Sequence, residues 1–521
     1  MRQTRRQFIQ QSLLTLPAIS ALASCGGGGG GGSAAASGTS STGSTANPNP
    51  GATTTSPVSN TLPPQTNIDL SAGLTNVGKA FMPYSPLVKQ PVLQRFKDPD
   101  FGTTMLRITD IANGLSGGQY KANVAMPAYP TTQAWNCNET RLILYVTTSP
   151  FNSGDTQGWA MFDGKTYQFI TMLNINPSDI EQFWWSLTDP TLLYYISNYS
   201  LGSTVHAELT VINVETGATS IVHDFIPDLK ALGWPTAGPV RAGYPLANGG
   251  NNVIWGLGAG GIPNVNTQLG LNVFGFNMQT GKLTQYPGVA QQQARGATPF
   301  PRLSGNGWVW NYNTASNQAN YQAWVLDING NVTLKVNFSA DEHLDTGLNA
   351  AGQDLLVGPQ YSTAVLGNMI MANLATGAVT PIIGIDNGYG YPRNGSFAGA
   401  TAYYNRPWVV GAAVGSPYGT ASDLSSNNGA VSNPQTMIDQ EIYIANVNTG
   451  AVLRVAHHRS TGYYSNSSNA NYWAQTNVTI SPSGTRILFQ SDWGDANPAK
   501  PVINPNAVVD TYVLELPTYT G

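Results

Sequence analysis

One short pattern constrains this sequence more than any other: an alternating apolar run that ends in Asn-x-x-Thr-Gly or a close variant. It stands at 209–217 as Leu-Thr-Val-Ile-Asn-Val-Glu-Thr-Gly, again at 273–281, 369–377 and 442–450, and in the shorter form Asp-Ile-Asn-Gly within 323–330. Alternation places every second side chain on one face, the mark of a half-buried strand. The glycine supplies the positive φ that a tight reversal needs. Each copy therefore reads as a strand, a turn and a returning strand.

A second unit precedes the hairpins: turn residues followed by a short buried strand, on the inner side of the hairpin. It occurs at 138–146, 189–195, 251–256, 306–310, 351–357, 405–410 and 481–489. Seven units spaced roughly 45 to 75 residues apart predict a radial array of four-stranded sheets, a seven-bladed β-propeller of all-β class. The last strand, 511–516, has no following hairpin partner, and pairing with 105–109 closes the ring and removes two free edges. The competing arrangement is two stacked smaller β domains, for which no Pro/Gly linker separates the repeats.

The N-terminus reads differently. Arg5-Arg6 is followed by an apolar stretch from Leu13 to Ala23, too short to span a bilayer, and then by Leu22-Ala23-Ser24-Cys25. Arg5-Arg6 with Phe8 resembles a twin-arginine export signal, and Leu-Ala-Ser-Cys resembles a bacterial lipobox, which implies lipidation of Cys25; an ordinary secretory signal with a chance cysteine is the alternative. Seven glycines from Gly26 then lead into Ser, Ala, Thr, Asn and Pro with almost no large apolar residue. Such composition buries no core and reads as a tether. The expected organisation is a signal peptide over 1–24, a linker over 25–66 and the propeller over 67–521. The chain is thus expected in the bacterial cell envelope as a monomeric lipoprotein, facing the periplasm or the cell surface, with the membrane as partner through its anchor.

Charge narrows the function. Asp, Glu, Lys and Arg make up 10% of the chain and the net charge is −4, so no basic field is available for nucleic acid. With Cys25 lipidated, Cys137 is the remaining thiol, without an obvious His base beside it, and is read as structural. Five histidines limit acid–base chemistry to few places. His457-His458-Arg459-Ser460 follows the last outer hairpin and leads into an aromatic, Asn-rich loop containing Tyr463-Tyr464 and Tyr472-Trp473. It is expected where the central channel opens, or else as a solvated turn. His343, flanked by Asp341, Glu342 and Asp345, suits a general base or a metal ligand, or simply a turn cap. His206 and His223 share one outer hairpin and are expected at the rim, without function.

Arg241, Arg295, Arg302, Arg393 and Arg406 each precede or enter an inner strand, from which a guanidinium reaches an axial funnel and suits an anionic, hydroxyl-rich ligand. Trp185, Tyr244, Trp473 and Gln475 belong to the pre-strand segments where aromatic faces beside amides make a sugar platform, although propeller cores also use aromatics between blades.

The segment 479–492, Thr-Ile-Ser-Pro-Ser-Gly-Thr-Arg-Ile-Leu-Phe-Gln-Ser-Asp, resembles the repeat of TolB-type propellers and more closely the blades of oligogalacturonate-lyase-like propellers; 343–357 is similar to another blade of that group. The resemblance implies a polysaccharide lyase working by β-elimination. In a catalytic set that also holds His457, His343 or His458 takes the proton, Arg393 or Arg406 neutralises a uronate carboxylate, and Tyr464 or Tyr472 protonates the leaving oxygen. In those lyases a His-x-His pair before the last such strand helps hold a metal, whereas Gln475-Thr476-Asn477 stands here, so no metal site is expected and no cofactor is assigned. A non-catalytic propeller that binds glycan or protein, and a hydrolase with paired carboxylates, are the other readings. For the hydrolase the one pair in view is Glu342 with Asp345.

Overall fold

The hairpin pattern becomes structure through its asparagine. In a computed structural model of the chain, Oδ1 of Asn213 accepts the backbone N–H groups of Glu215 and Thr216 at 3.0 and 3.1 Å. Asn277, Asn373 and Asn446 do the same two and three residues on. The closing glycines 217, 281, 330, 377 and 450 hold φ between 65° and 82°, the left-handed region that a side chain disfavours. The structure describes residues 65–148, 156–231, 240–242, 254–259, 272–286, 299–312, 322–338, 344–359, 368–384, 387–389, 396–399, 402–413, 437–438, 440–460, 473–474, 476–493 and 508–521.

Seven antiparallel sheets form a ring, each starting with its innermost strand. Blade I contains Val124–Met126, Arg141–Thr147, Gly158–Asp163 and Phe169–Leu173; blade II contains Phe183–Trp185, Leu192–Leu201, Thr204–Asn213 and Thr219–Asp224. Blade III contains Val240–Ala242, Ile254–Ala259, Asn272–Asn277 and Lys282–Gln285; blade IV contains Phe300–Pro301, Trp308–Tyr312, Gln322–Leu326 and Val332–Asn337. Blade V contains Asp345–Leu348, Asp354–Pro359, Met369–Asn373 and Val379–Ile383; blade VI contains Ser396–Gly399, Trp408–Ala413, Glu441–Asn446 and Ala451–His457. Blade VII is built from both ends of the chain: Val478–Ile480, Arg486–Ser491 and Asp510–Glu515 are completed by Thr104–Arg107 and Arg95–Lys97.

The ring thus closes as the sequence predicts, with Met105 paired to Leu514 and Leu106 to Val513. Arg95 adds a two-pronged bond to Glu515, at 2.8 and 2.9 Å. One correction concerns position within the blade. The seven buried units found in the sequence are the second strands, and each blade has a further, shorter strand nearer the axis.

Apolar faces of adjacent blades pack against one another. Trp184 of blade II meets Trp255 of blade III edge-to-face with centroids 5.4 Å apart, within one apolar cluster that includes Ile196, Leu209 and Phe276. The largest cluster fills the space between blades VI and VII and takes in Leu70, so the segment that precedes the first strand is part of the core.

Because each blade is antiparallel, connections from strand 1 to 2 and from 3 to 4 leave at one end, the turn face, and those from 2 to 3 and from 4 to the next blade leave at the other, the loop face. Residues 127–133 interrupt this scheme. They leave the innermost strand of blade I, and Gln133 donates Nε2 to the Ile480 carbonyl of blade VII at 2.9 Å. A Cβ placed on Gly399 of blade VI falls 3.1 Å from the Pro130 carbonyl oxygen. A segment of blade I that touches blade VI passes along the axial side of blade VII, on the turn-face side. A short helix, Ile226–Ala231, follows blade II. No described helix is long and apolar enough to cross a membrane.

Candidate functional site

His457 ends the outermost strand of blade VI, and that position decides its surroundings. The segment before the first strand and the turn that follows Arg95–Lys97 fold over it: Tyr84 and Phe101 pack their rings at 5.1 and 5.0 Å from the imidazole, whose Nδ1 lies 3.0 Å from Asp100 Oδ2. Asp98 accepts the backbone N–H groups of Asp100, Phe101 and His457. Arg459 stands 3.7 and 3.6 Å from Asp98 and Asp100, donates to the Ser85 carbonyl and lies over the Tyr84 ring. Arg454 clasps Glu441 through two bonds of 2.6 and 2.7 Å. Asp100 loses hydration on burial, yet bonds from His457 and Ser85 outweigh that loss and hold its carboxyl below the usual range.

This corrects the expectation that the His457-His458 pair lies at the channel mouth. Both residues are fully buried, at the seam between blades VI and VII. His458 accepts the Ser460 backbone N–H at Nδ1, which places its proton on Nε2, where it bonds to the Ala413 carbonyl at 2.9 Å. Burial without a counter-charge pushes its pKa down to about 3, so the ring is neutral and both nitrogens are committed.

The other expected residues divide by position. Arg406 lies in the connection from strand 1 to 2 of blade VI, on the turn face, half-buried, with its backbone N–H bonded to Gln65 Oε1 at 2.8 Å. It is therefore at the wrong end to join residues of the loop face. Arg302 follows the innermost strand of blade IV and is turned to Asp354 of blade V at 3.0 Å, tying two blades together rather than facing a ligand. Trp185 is core: it is buried, with Nε1 donating to the Ala134 carbonyl at 3.0 Å. Arg241 lies in the innermost strand of blade III, its side chain outside the described residues. His343, Arg393, Tyr464, Tyr472, Tyr244, Arg295, Gln475 and Cys25 also lie outside them. Cys137 is buried, and desolvation pushes its thiol up to about 11, as a structural cysteine requires.

Trp473 is the expected sugar-facing residue that the structure places on the loop face with aromatic company. It is half-buried and stacks on Tyr145 at 6.3 Å and 28°; Tyr145 in turn meets Trp159 at 5.6 Å. Gln157 bonds to the Tyr145 hydroxyl at 2.7 Å. Gln490 reaches the Trp473 carbonyl at 3.4 Å and accepts the Asn477 N–H at 2.9 Å. Tyr145, Trp159 and Gln157 belong to the ends of strands in blade I, too far from Trp473 in sequence for the repeats to suggest the contact.

No protein-family model and no curated protein sequence matches the chain. Solved structures do. An oligogalacturonate lyase in complex with manganese superposes with a TM-score of 0.51 and 12% identity, covering 82% of this chain and 96% of that one. An oligogalacturonate lyase from Vibrio parahaemolyticus gives 0.48 and 11% over the same shares, and TolB from Acinetobacter baumannii 0.31 and 12% over 64% and 62%. At this identity the first likeness establishes the fold: a seven-bladed propeller. Where the resemblance expects a metal-holding histidine pair, Thr476 and Asn477 present a hydroxyl and an amide, and neither of the two His–carboxylate groups among the described residues includes them. A hydroxyl and an amide are far weaker ligands for a transition metal than imidazole.

Proposed function

We propose that this chain is an exported, lipid-anchored propeller that binds an acidic polysaccharide on its loop face and cleaves it by β-elimination. The observation that carries the reading is topological. His343, Arg393 and the stretch from Tyr464 to Trp473 fall in chain order between strands ending at 337, 383 and 457 and strands beginning at 345, 396 and 478, three successive blade-to-blade connections of one closed ring, all leaving at the same end. The axial excursion of residues 127–133 lies on the opposite side, which favours approach from the loop face.

The chemistry follows from the residue types. Arg393 neutralises the uronate carboxylate and so acidifies the C5 proton. His343 takes that proton, the C4–oxygen bond breaks as a C4–C5 double bond forms, and the leaving oxygen receives a proton from Tyr464 or Tyr472. Buried at the seam in the case of His457 and His458, and on the turn face in the case of Arg406, these three drop out of the set. The aromatic ledge around Trp473 supplies the apolar face that a pyranose ring stacks on.

Binding without cleavage is the second reading, favoured by how many of the expected catalytic groups the fold uses structurally. One experiment separates the two. Acidic polysaccharides are titrated into the full chain and the ultraviolet absorbance of unsaturated product is followed. The lyase reading expects binding with rising absorbance and, for Trp473→Ala, binding about tenfold weaker. Binding with flat absorbance supports the second reading, and no binding removes both.

A further inference from the structure

We infer that the outer edge of blade II is a divalent-cation site of zinc class, formed by His206, Glu208 and Asp224 and braced by Tyr199. His206 and Glu208 are two apart on one strand and so share a face; Asp224 on the neighbouring strand is directly opposite Glu208, and Tyr199 directly opposite His206. The four side chains are brought together by three strands of one blade.

Three features point to a cation. The first is spacing. His206 Nδ1 lies 3.3 Å from Glu208 Oε1 and 3.5 Å from Asp224 Oδ2. Ligand atoms held about 2.0–2.1 Å from a tetrahedral zinc are separated by about 3.3–3.4 Å along each edge, so the two edges that meet at His206 already stand near coordination spacing, and all three ligand atoms lie within 4.8 Å of one another. The second is the nitrogen itself: His206 Nδ1 is shut off from solvent and makes no hydrogen bond. The third is uncompensated charge. Two carboxylates directly opposite each other repel, and among the described residues no Lys or Arg forms an ion pair with either.

The supporting shell is in place. Tyr199 stacks on the imidazole at 4.8 Å and 12°, and its hydroxyl donates to Glu208 Oε1 at 2.9 Å. Asp224 Oδ1 is held by the Ile226 backbone N–H at 3.0 Å, leaving Oδ2 toward His206. His206 and Asp224 are partly exposed, so a fourth position is open to water. One nitrogen and two carboxylates select a first-row ion of zinc type over calcium, which prefers an all-oxygen cage.

The test uses the full chain stripped with chelator. Zinc is titrated by calorimetry, cobalt(II) serves as a visible-absorption probe, and calcium is the comparison ion. The proposal expects zinc binding, an intense tetrahedral cobalt band, a rise in Tm with zinc and none with calcium. His206→Asn and Asp224→Asn each weaken zinc at least about tenfold and erase the band, whereas His223→Asn, on the opposite sheet face, leaves both unchanged. Chelated Tm values show that the variants are folded, and either one alone suffices. Absence of zinc binding in the parent chain, or equal binding and an equal band in His206→Asn or Asp224→Asn, overturns the proposal.

Discussion

His457 and His206 each stand beside two carboxylates, one at the seam between blades VI and VII and the other on the edge of blade II, yet their surroundings have opposite electrostatics. At the seam Arg459 faces Asp98 and Asp100, and Arg454 holds Glu441, so the chain supplies its own cations and the cluster is closed. At the edge no described Lys or Arg pairs with Glu208 or Asp224. The same side-chain types make an ion-paired clamp in one place and the proposed cation site in the other. What decides is which positive charges the fold delivers, a point that ligand-type counting along the sequence misses.

The largest effect expected from this contrast is at the seam. Arg454→Ala leaves Glu441 buried without its partner and lowers stability by about 3–5 kcal/mol in denaturant unfolding. A loss under about 1 kcal/mol breaks the account of the seam as a closed network.

A pH titration sharpens it. His458 has its pKa lowered in the folded state, so below about 6.5 the unfolded chain binds a proton that the native state refuses. Stability contributed by this group is therefore complete above that value and falls by about 1.4 kcal/mol per pH unit toward pH 3, or about 2 kcal/mol by pH 5. His458→Gln, which keeps a donor and an acceptor, flattens the slope between pH 6.5 and 5; an unchanged slope contradicts the neutral, committed ring.

The smallest effect belongs to the edge. Tyr199→Phe removes one bond to Glu208 and costs about 1 kcal/mol without metal. Calorimetric unfolding in chelator reads it, and a cost like that of Arg454→Ala contradicts an open, partly exposed edge.

The fold was legible where local chemistry sets it. Five hairpins announced themselves through Asn or Asp followed by Gly, and the closing pair of strands through a terminal run without a partner. The blade I hairpin went unread because Tyr167, at a φ of 60°, takes the position where glycine is expected. The innermost strands went unread because two to four residues, such as Phe300–Pro301, show no alternation. Site residues were harder. His457 and Asp100 are 357 residues apart, and nothing local shows that the segment after the linker folds back over blade VI. His206 was expected at the rim without function, and Asp224 comes opposite Glu208 only through strand register, after a bulge between Ile221 and His223 shifts the pairing.

The most direct test of the proposed activity is to incubate the full chain and His343→Ala with a series of polyuronates while following both ultraviolet absorbance and binding. The account predicts rising absorbance with at least one polymer and a rate at least about 100-fold lower for His343→Ala with binding retained. Flat traces from the parent chain on every polymer, or a His343→Ala rate equal to that of the parent, contradict it.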